Sequence, residues 1–470
     1  MIETAAVLLP LLFAGAVFLC GHRVRLVRCL LPTLGTVQLA LLAILDFSPA
    51  WNRSPLPEWI AADSLSMVVA TVTGVLFFCA SLHAAFWLPA TLRYEAREGA
   101  PMRENVFCAL LCLFLSTMML VVFSRNYGLL WVAVEATTLT SAVPILFHRS
   151  AGSLEAMWKY LLICSVGIGL ALFGTFLLGV AVPDDGGAAR LGFDSMALSR
   201  ARMAPAWFKA AFLFCFAGYG LKMGLAPFHT WLPDAHSEAP ALVSVLLSGA
   251  LLNCSFLGIV RVLAASPEAL LPFCRELLVG FGMFSLLTAA FFVIRQSDYK
   301  RMLAYSSVEH MGLLAVLWGL DVRDYALIHL CMHSLCKMLL FLVAGNILLA
   351  WGTRKIEKVG GLFGVMPLTA TLWLTGVLMI CGVPPSPLFV TELKLVLHAG
   401  PWLGGIVLLL LFMVFCGMTS TAVRMTMGDG AKPDGEAVRA AERLSLLPAA
   451  LMPLPIIFGI YLICVLTGVF

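Results

Sequence analysis

The sequence predicts an all-α membrane protein of about fourteen transmembrane helices, and three observations carry that expectation. Of its 470 residues, 61% are hydrophobic and only 12% charged, about half the charged share of a soluble domain. The mean hydropathy is +0.98. Apolar residues also run in unbroken stretches of about 20, long enough to cross hydrocarbon as a helix, without the alternation of an outer-membrane barrel. These features exclude a soluble globular enzyme and a disordered chain. With a net charge of only +4 and no long basic run, nucleic acid is not an expected partner.

The expected spans cover 4–21, 29–46, 65–90, 105–123, 127–147, 158–182, 207–227, 240–264, 268–294, 302–320, 325–351, 364–399, 402–424 and 446–469. The first is read as an uncleaved span, because Arg23, Arg25 and Arg28 follow its apolar run instead of preceding it. Segment 183–206 is the longest polar interruption between central spans, and 425–445 is a charged, turn-rich surface loop. Lys and Arg concentrate in the loops after the odd-numbered spans. That bias places those loops in the cytoplasm and both termini outside the cytoplasmic (inner) membrane of a bacterium or archaeon.

Two spans are broken alike. The seventh reads GYGLKMGLAPFHTWLPDA and the twelfth LMICGVPPSPLFVTELKLVL. In each, Gly and Pro interrupt the helix near mid-membrane, and Pro removes a backbone donor there. Exposed backbone at that depth is tolerated only inside protein or a wet cavity. Broken spans five apart point to an internal repeat with function at the breaks. The expected division is 1–104 for the first three helices, 105–264 for a first five-helix repeat, 265–424 for a second, inverted one, and 425–470 for a loop and last helix.

Ionisable residues inside spans are the strongest functional signal, since each costs at least about 2.5–3.5 kcal/mol at a helix centre. Glu135 lies in LLWVAVEATTL, and Lys222 precedes the first break. Glu309 and His310 lie in AYSSVEHMGLL. His329, His333 and Lys337 recur every four residues and so share a helix face. Glu392 and Lys394 follow the second break. The mid-span cations are lysines, not arginines, and a lysine, unlike a guanidinium, can give up its proton when buried. The set suits an ion-translocating chain, although such groups also serve as structural staples between helices.

Weaker signals surround these. His229, Asp234, His236 and Glu238 cluster in FHTWLPDAHSEAP, which fits a loop with a proton access point, without a metal-site pattern. Asn253 is expected to make a helix–helix hydrogen bond, and Arg261 and Arg295 to snorkel. The 14 cysteines include no C-x-x-C pair; Cys108 and Cys112, four apart, read as small buried hydrophobes. No cofactor motif is present, so no redox centre and no metal are expected in this chain.

GYGLKMGLAPFHTWLPDAHSEAP, MLAYSSVEHMG and CKMLLFLVAG resemble the signature of the antiporter-like proton-pumping subunits of respiratory complex I and related complexes. WVAVEATTLTSA, SLEAMWKYLLICSVGIGLALFGT and LLSGALLNCSFLGI look most like the hydrogenase-4 component F type, a membrane subunit of group 4 nickel–iron hydrogenases. The resemblance implies two inverted five-helix repeats and a half-channel at each broken helix. It implies that Glu135 and Lys222 form a coupled pair, that Lys337, with His333 one turn before it, continues the path, and that Glu392 or Lys394 ends it; the residues themselves add His310 to the path, with His229, Asn253 and His329 lining it or its entry. It also implies partners: other membrane subunits and a soluble redox arm with nickel–iron and iron–sulfur centres. Members from complex I commonly carry lysine where this chain has Asn253, so the path there must be bridged by water or histidine, or is interrupted. The sequence runs to Phe470 directly after the last expected span, so the long lateral helix that one complex I subunit type carries is not expected. The expected function is translocation of protons or sodium ions by a redox-driven complex. The alternatives are a subunit of a multi-subunit sodium/proton antiporter or bicarbonate-uptake complex, and a non-transporting scaffold.

Overall fold

The computed structural model describes residues 1–21, 23–47, 56–94, 102–183, 191–431 and 433–466. The described residues are mostly helical, joined by turns and loops, with no strands among them but isolated bridges such as Ile60 with Ser124 and Asp298 with Lys355. The helices are α1 Ile2–Leu19, α2 Val24–Phe47, α3 Ser64–Tyr94, α4 Glu104–Phe123, α5 Tyr127–Ile145, α6 Ala151–Ala181, α7 Phe193–Ser199, α8 Pro205–Met223, α9 Trp231–Glu238, α10 Ala241–Leu246, α11 Leu252–Ala264, α12 Leu271–Val293, α13 Tyr299–Gly319, α14 Arg323–Trp351, α15 Leu362–Val365, α16 Pro367–Ile380, α17 Pro387–His398, α18 Gly400–Met427, α19 Gly435–Leu444, α20 Leu446–Leu451 and α21 Pro453–Leu466. Twelve helical stretches among the described residues are long and apolar enough to cross a membrane, and the chain is a multi-pass membrane protein. Helix α13, with Lys300, Arg301 and Glu309, and the short α16–α17 pair cover the remaining expected spans.

Two expected loops hold more structure than turns. Part of 183–206 forms α7 and a 3-10 turn at Arg200–Arg202, while 184–190 lie outside the described residues. The loop 425–445 contains α19, capped by the Asp434 side chain on Glu436 N; its Lys432 also lies outside the described residues.

Polar side chains set the helix starts, as capping requires. Asn126 caps α5, Ser150 caps α6, Asp298 caps α13 and Ser386 caps α17. Small residues then set the closest packing. Where α6 meets α8, a Cβ on Gly218 would overlap the Gly167 carbonyl and Ala171; where α12 meets α13, Gly282 and Gly312 face each other's carbonyls. Such close backbone approach is how helices associate where apolar burial alone discriminates little. Helices α10, α11 and α14 are enclosed on all sides, whereas α18 and α21 turn most of their surface outward. The apolar rim belongs to lipid or to neighbouring chains, and the enclosed centre is where ionisable groups can persist.

Arginine and acid pairs close both ends of the bundle. Arg261 meets Asp63 at 2.6 Å, and Arg125 joins Asp63 at 3.1 Å and Asp194 at 2.7 Å. Arg261 therefore does not snorkel: it staples α11 to the start of α3. At the other end Asp234 pairs with Lys159 and Arg301, and Glu238 with Arg354.

Candidate ion-translocation site

Both predicted breaks are present. Helix α8 ends at Gly224, which takes the left-handed conformation (φ 84°) open to a residue without Cβ. The freed backbone groups find partners: Trp231 Nε1 donates to Leu221 O at 2.9 Å, and Ala226 N donates to Ser285 Oγ at 2.9 Å. Helix α16 stops before Gly382 (φ 66°) and α17 begins at Ser386–Pro387, with Ser386 Oγ donating to Met379 O at 2.8 Å. Buried irregular backbone is thus satisfied internally, as hydrocarbon surroundings demand.

Lys222, two residues before the first break, is fully buried. Its ammonium donates to Thr138 Oγ1 at 2.8 Å and Tyr160 OH at 2.6 Å, and lies 4.6 Å from the Tyr160 ring centroid. Tyr160 OH in turn lies 2.6 Å from Ser141 Oγ. Glu135 is not in direct contact with the lysine. Thr138 Oγ1 donates to Glu135 Oε2 at 3.4 Å, so a hydroxyl stands between acid and base. The other carboxylate oxygen accepts from Ser165 Oγ at 3.0 Å. Glu135 is half-buried and Ser165 exposed, and both open onto an apolar face that includes Val132, Leu139, Leu162 and Val166.

The second half gathers the other predicted residues around α13, α14 and α17. Lys337 Nζ donates to Leu303 O at 2.6 Å and to Ser306 Oγ. His310 Nδ1 lies 3.2 Å from His329 Nε2, and His329 Nδ1 lies 2.9 Å from Thr391 Oγ1. The His310 and His333 rings are 5.1 Å apart. Glu392, next to Thr391, is buried against Gly382, and its Oε1 has no hydrogen-bond partner.

The two halves meet through neutral groups. Asn253 Nδ2 donates to Ser334 Oγ at 2.8 Å and Gly249 O at 2.7 Å, making the expected interhelical bond, while its Oδ1 is buried without a partner. Its neighbour Cys254 lies within electrostatic reach of Lys222. Ser248 and Ser307 hydroxyls meet at 2.8 Å, beside a π-helical turn at Leu247–Leu251. Such turns are often found at functional sites.

Not every candidate joins this spine. Lys394 is half-buried with its ammonium 5.2 Å from the Tyr325 ring centroid, on a different side of α17 from Glu392. The FHTWLPDAHSEAP cluster disperses: Asp234 and Glu238 enter ion pairs, His236 stacks on Phe341 at 4.9 Å, and His229 packs edge-on to Tyr305. No group of three or more His, Cys, Asp or Glu among the described residues could hold a metal ion. Reasoning from the sequence missed Thr138, Tyr160, Ser141 and Thr391. Thr138 had a local signal, lying three residues from an intramembrane acid and thus on its face; Tyr160 had none, because its helix meets Lys222 only in three dimensions.

Residues 124–419 match the family described as "NADH:quinone oxidoreductase/Mrp antiporter, TM". The chain is 35% identical over 350 residues to "Hydrogenase-4 component F homolog" of Methylacidiphilum infernorum, covering 73% of each sequence. Among solved structures, a chain of the archaeal membrane-bound sulfane sulfur reductase superposes with a TM-score of 0.82 at 20% identity, over 98% of this chain and 94% of that one. A chain of the Mrp complex from Dietzia also gives 0.82, at 19% identity, over 98% and 96%. At those identities the superpositions speak for the fold alone, whereas the match over 124–419 speaks for descent. The chain belongs to the NADH:quinone oxidoreductase/Mrp antiporter family of membrane subunits.

Proposed function

We propose that the chain is the ion-translocating membrane subunit of a redox-driven complex of hydrogenase or complex I type, and that it moves protons. The observation that carries this reading is the Lys222–Thr138–Glu135 linkage between the membrane-spanning helices. A carboxylate and an ammonium joined through a hydroxyl form a device whose charge state changes when either end is perturbed. The similarity to a hydrogenase-4 component F homolog supports a redox driver. Moving one elementary charge against 100 mV costs about 2.3 kcal/mol, so perturbing one such hydroxyl-linked acid and base is sufficient in size.

Glu135 is the coupling end. A half-buried carboxylate on an exposed apolar face is unstable against lipid, so another membrane subunit covers α5 and α6 and supplies the charge that acts on it. Lys222 relays the change inward, the Asn253, Ser334, Ser248 and Ser307 groups hold water between the halves, and Lys337 with the three histidines passes the proton to Glu392. Residues 105–264 and 265–424 act as the two inverted half-channels. The nickel–iron and iron–sulfur centres belong to partner subunits in a soluble arm. The complex sits in a bacterial or archaeal cytoplasmic membrane with the α19 side in the cytoplasm and both termini outside.

A second reading, a subunit of a sodium/proton antiporter without a redox arm, is favoured by the family's inclusion of Mrp antiporters. Purification of the complex from native membranes decides between them. Co-purifying nickel–iron and iron–sulfur subunits are expected. Their absence, with sodium-dependent proton movement in vesicles, overturns the redox reading in favour of the second.

A further inference from the structure

A second buried polar cluster lies away from the spine, where α3, α14, α16 and α19 converge. Its inner end is His83, an imidazole fully buried in an apolar span, with both ring nitrogens lacking hydrogen-bond partners. Trp87 and Thr91 follow at intervals of four, on the same face of α3. Trp87 Nε1 and Thr91 Oγ1 are also buried and unpartnered. From α14, the Asn346 carboxamide lies beside His83, and its Oδ1 lacks a partner too. Trp87 Nε1 approaches Gly345, the residue before Asn346. Even with the His83 and Asn346 side chains turned to each other, one His83 nitrogen, Trp87 Nε1 and Thr91 Oγ1 stay unpaired along this face, against the rule that buried polar groups are paired. Water is the ligand that satisfies such a set, since one molecule can serve two to four of these groups.

The cluster reaches the membrane surface through a chain of short contacts. Asn346 Nδ2 donates to Ser445 Oγ at 2.9 Å, Ser445 Oγ lies 2.8 Å from Thr369 Oγ1, and Thr369 Oγ1 donates to Glu442 Oε2 at 2.5 Å. Glu442 is half-buried on the amphipathic helix α19, whose outer face carries exposed Arg439 and Glu436, the latter paired with Arg93 of α3. Glu442 also accepts from Leu368 N at 2.7 Å, at the start of α16. That cap explains the carboxylate; it does not explain hydroxyls and a carboxamide continuing inward to an imidazole. At the inner end, Ala241 at the head of α10 packs on Gly345, so the segment carrying His236 adjoins the cluster. His236 has both nitrogens unpartnered and lies within electrostatic reach of Lys337.

We propose that Glu442, Thr369, Ser445 and His83 form a hydrated proton inlet from the α19 face, with Glu442 as the surface acid and His83 as its inner protonatable group. Protons hop along hydroxyls and water, each hop forming one O–H or N–H bond and breaking another. Asn346 and Trp87 orient the water and carry no proton. The proposal rests on the ion-translocation reading above and adds a route that avoids the Glu135–Lys222 pair.

The test uses the assembled complex in sealed membrane vesicles. It is driven by the substrate of the attached redox module, or by a sodium pulse if the complex is of antiporter type, and proton movement is read with a pH-sensitive dye. His83→Gln, Glu442→Gln and the double variant Thr369→Val with Ser445→Ala are compared with Lys222→Met. The expected result is at least a fivefold slower proton uptake in His83→Gln. The hydroxyl double variant, which leaves His83 packing intact, should be slower with a larger solvent deuterium isotope effect. Wild-type uptake in His83→Gln overturns the inlet, as does an unchanged rate and isotope effect in the double variant. If Lys222→Met abolishes transport while these variants are unaffected, only the inlet fails; if Lys222→Met also transports normally, the underlying reading fails. Should His83→Gln not assemble, the double variant decides.

Discussion

Lys222 and Glu135 are joined but do not touch: the Thr138 hydroxyl receives a hydrogen bond from the ammonium at 2.8 Å and gives one to the carboxylate at 3.4 Å. The spacing matters for coupling. A direct ion pair in a low-dielectric interior holds both charges fast, whereas a bridging hydroxyl leaves each group free to exchange a proton while still sensing the other.

Replacing Thr138 with Val keeps the shape and removes the bridge. Hydrogen bonds to charged groups contribute about 1.5–3 kcal/mol, so coupled ion transport should fall roughly ten- to a hundredfold, with normal assembly. Transport rates in vesicles, compared with subunit levels in the purified complex, check this.

Thr391 fixes the far end of the histidine chain. Its Oγ1 lies 2.9 Å from His329 Nδ1, which determines the nitrogen that His329 offers to His310. Thr391→Val should slow transport and cost about 1–3 kcal/mol for the unsatisfied buried nitrogen. A normal rate with the same melting temperature would remove His329 from the path.

The second break depends on Gly382. Its φ of 66° costs a residue with a Cβ about 1–2 kcal/mol, and an added Cβ would overlap the Glu392 carboxylate. Gly382→Ala should therefore displace Glu392 and impair transport more than stability. Paired measurement of transport and thermal unfolding separates the two effects.

Much of this site was legible before any coordinates. The cost of charge in hydrocarbon singled out Glu135, Lys222, Lys337 and Glu392, and Gly with Pro marked both breaks, because these are local properties of the chain. Lys394 carried the same signal as Glu392, yet one lies against Tyr325 and the other inside. Two positions along a helix differ by about 200° in facing, and only packing shows which side is enclosed. Arg261 read as a snorkelling residue because its partner, Asp63, is 198 positions away. Thr138 and Tyr160 stayed invisible for a related reason: hydroxyl side chains are common in membrane helices, and their role appears only when another helix brings a lysine to them.

Asp63 gives a prediction in acid. Burial pushes its carboxyl up, but the Arg261 hydrogen bond and the Arg261 and Arg125 charges outweigh this, and the net value lies below the ordinary one. The resulting stabilisation is complete above the unfolded value of about 3.9 and is lost as pH falls through the lower folded value. Asp63→Asn should destabilise the complex by about 1–3 kcal/mol at neutral pH and flatten this acid dependence. Thermal unfolding between about pH 3 and pH 7 would show it; an unchanged acid slope would mean that the Arg261–Asp63 contact contributes nothing.

The most direct measurement is the number of ions moved per turnover by the assembled complex carrying Lys222→Met. The methionine is unbranched and about one atom shorter than lysine, so it fills much of the same space while removing the titratable amine. The account predicts that ion movement falls to background while the complex remains intact. Wild-type ion movement per turnover in that variant would contradict it.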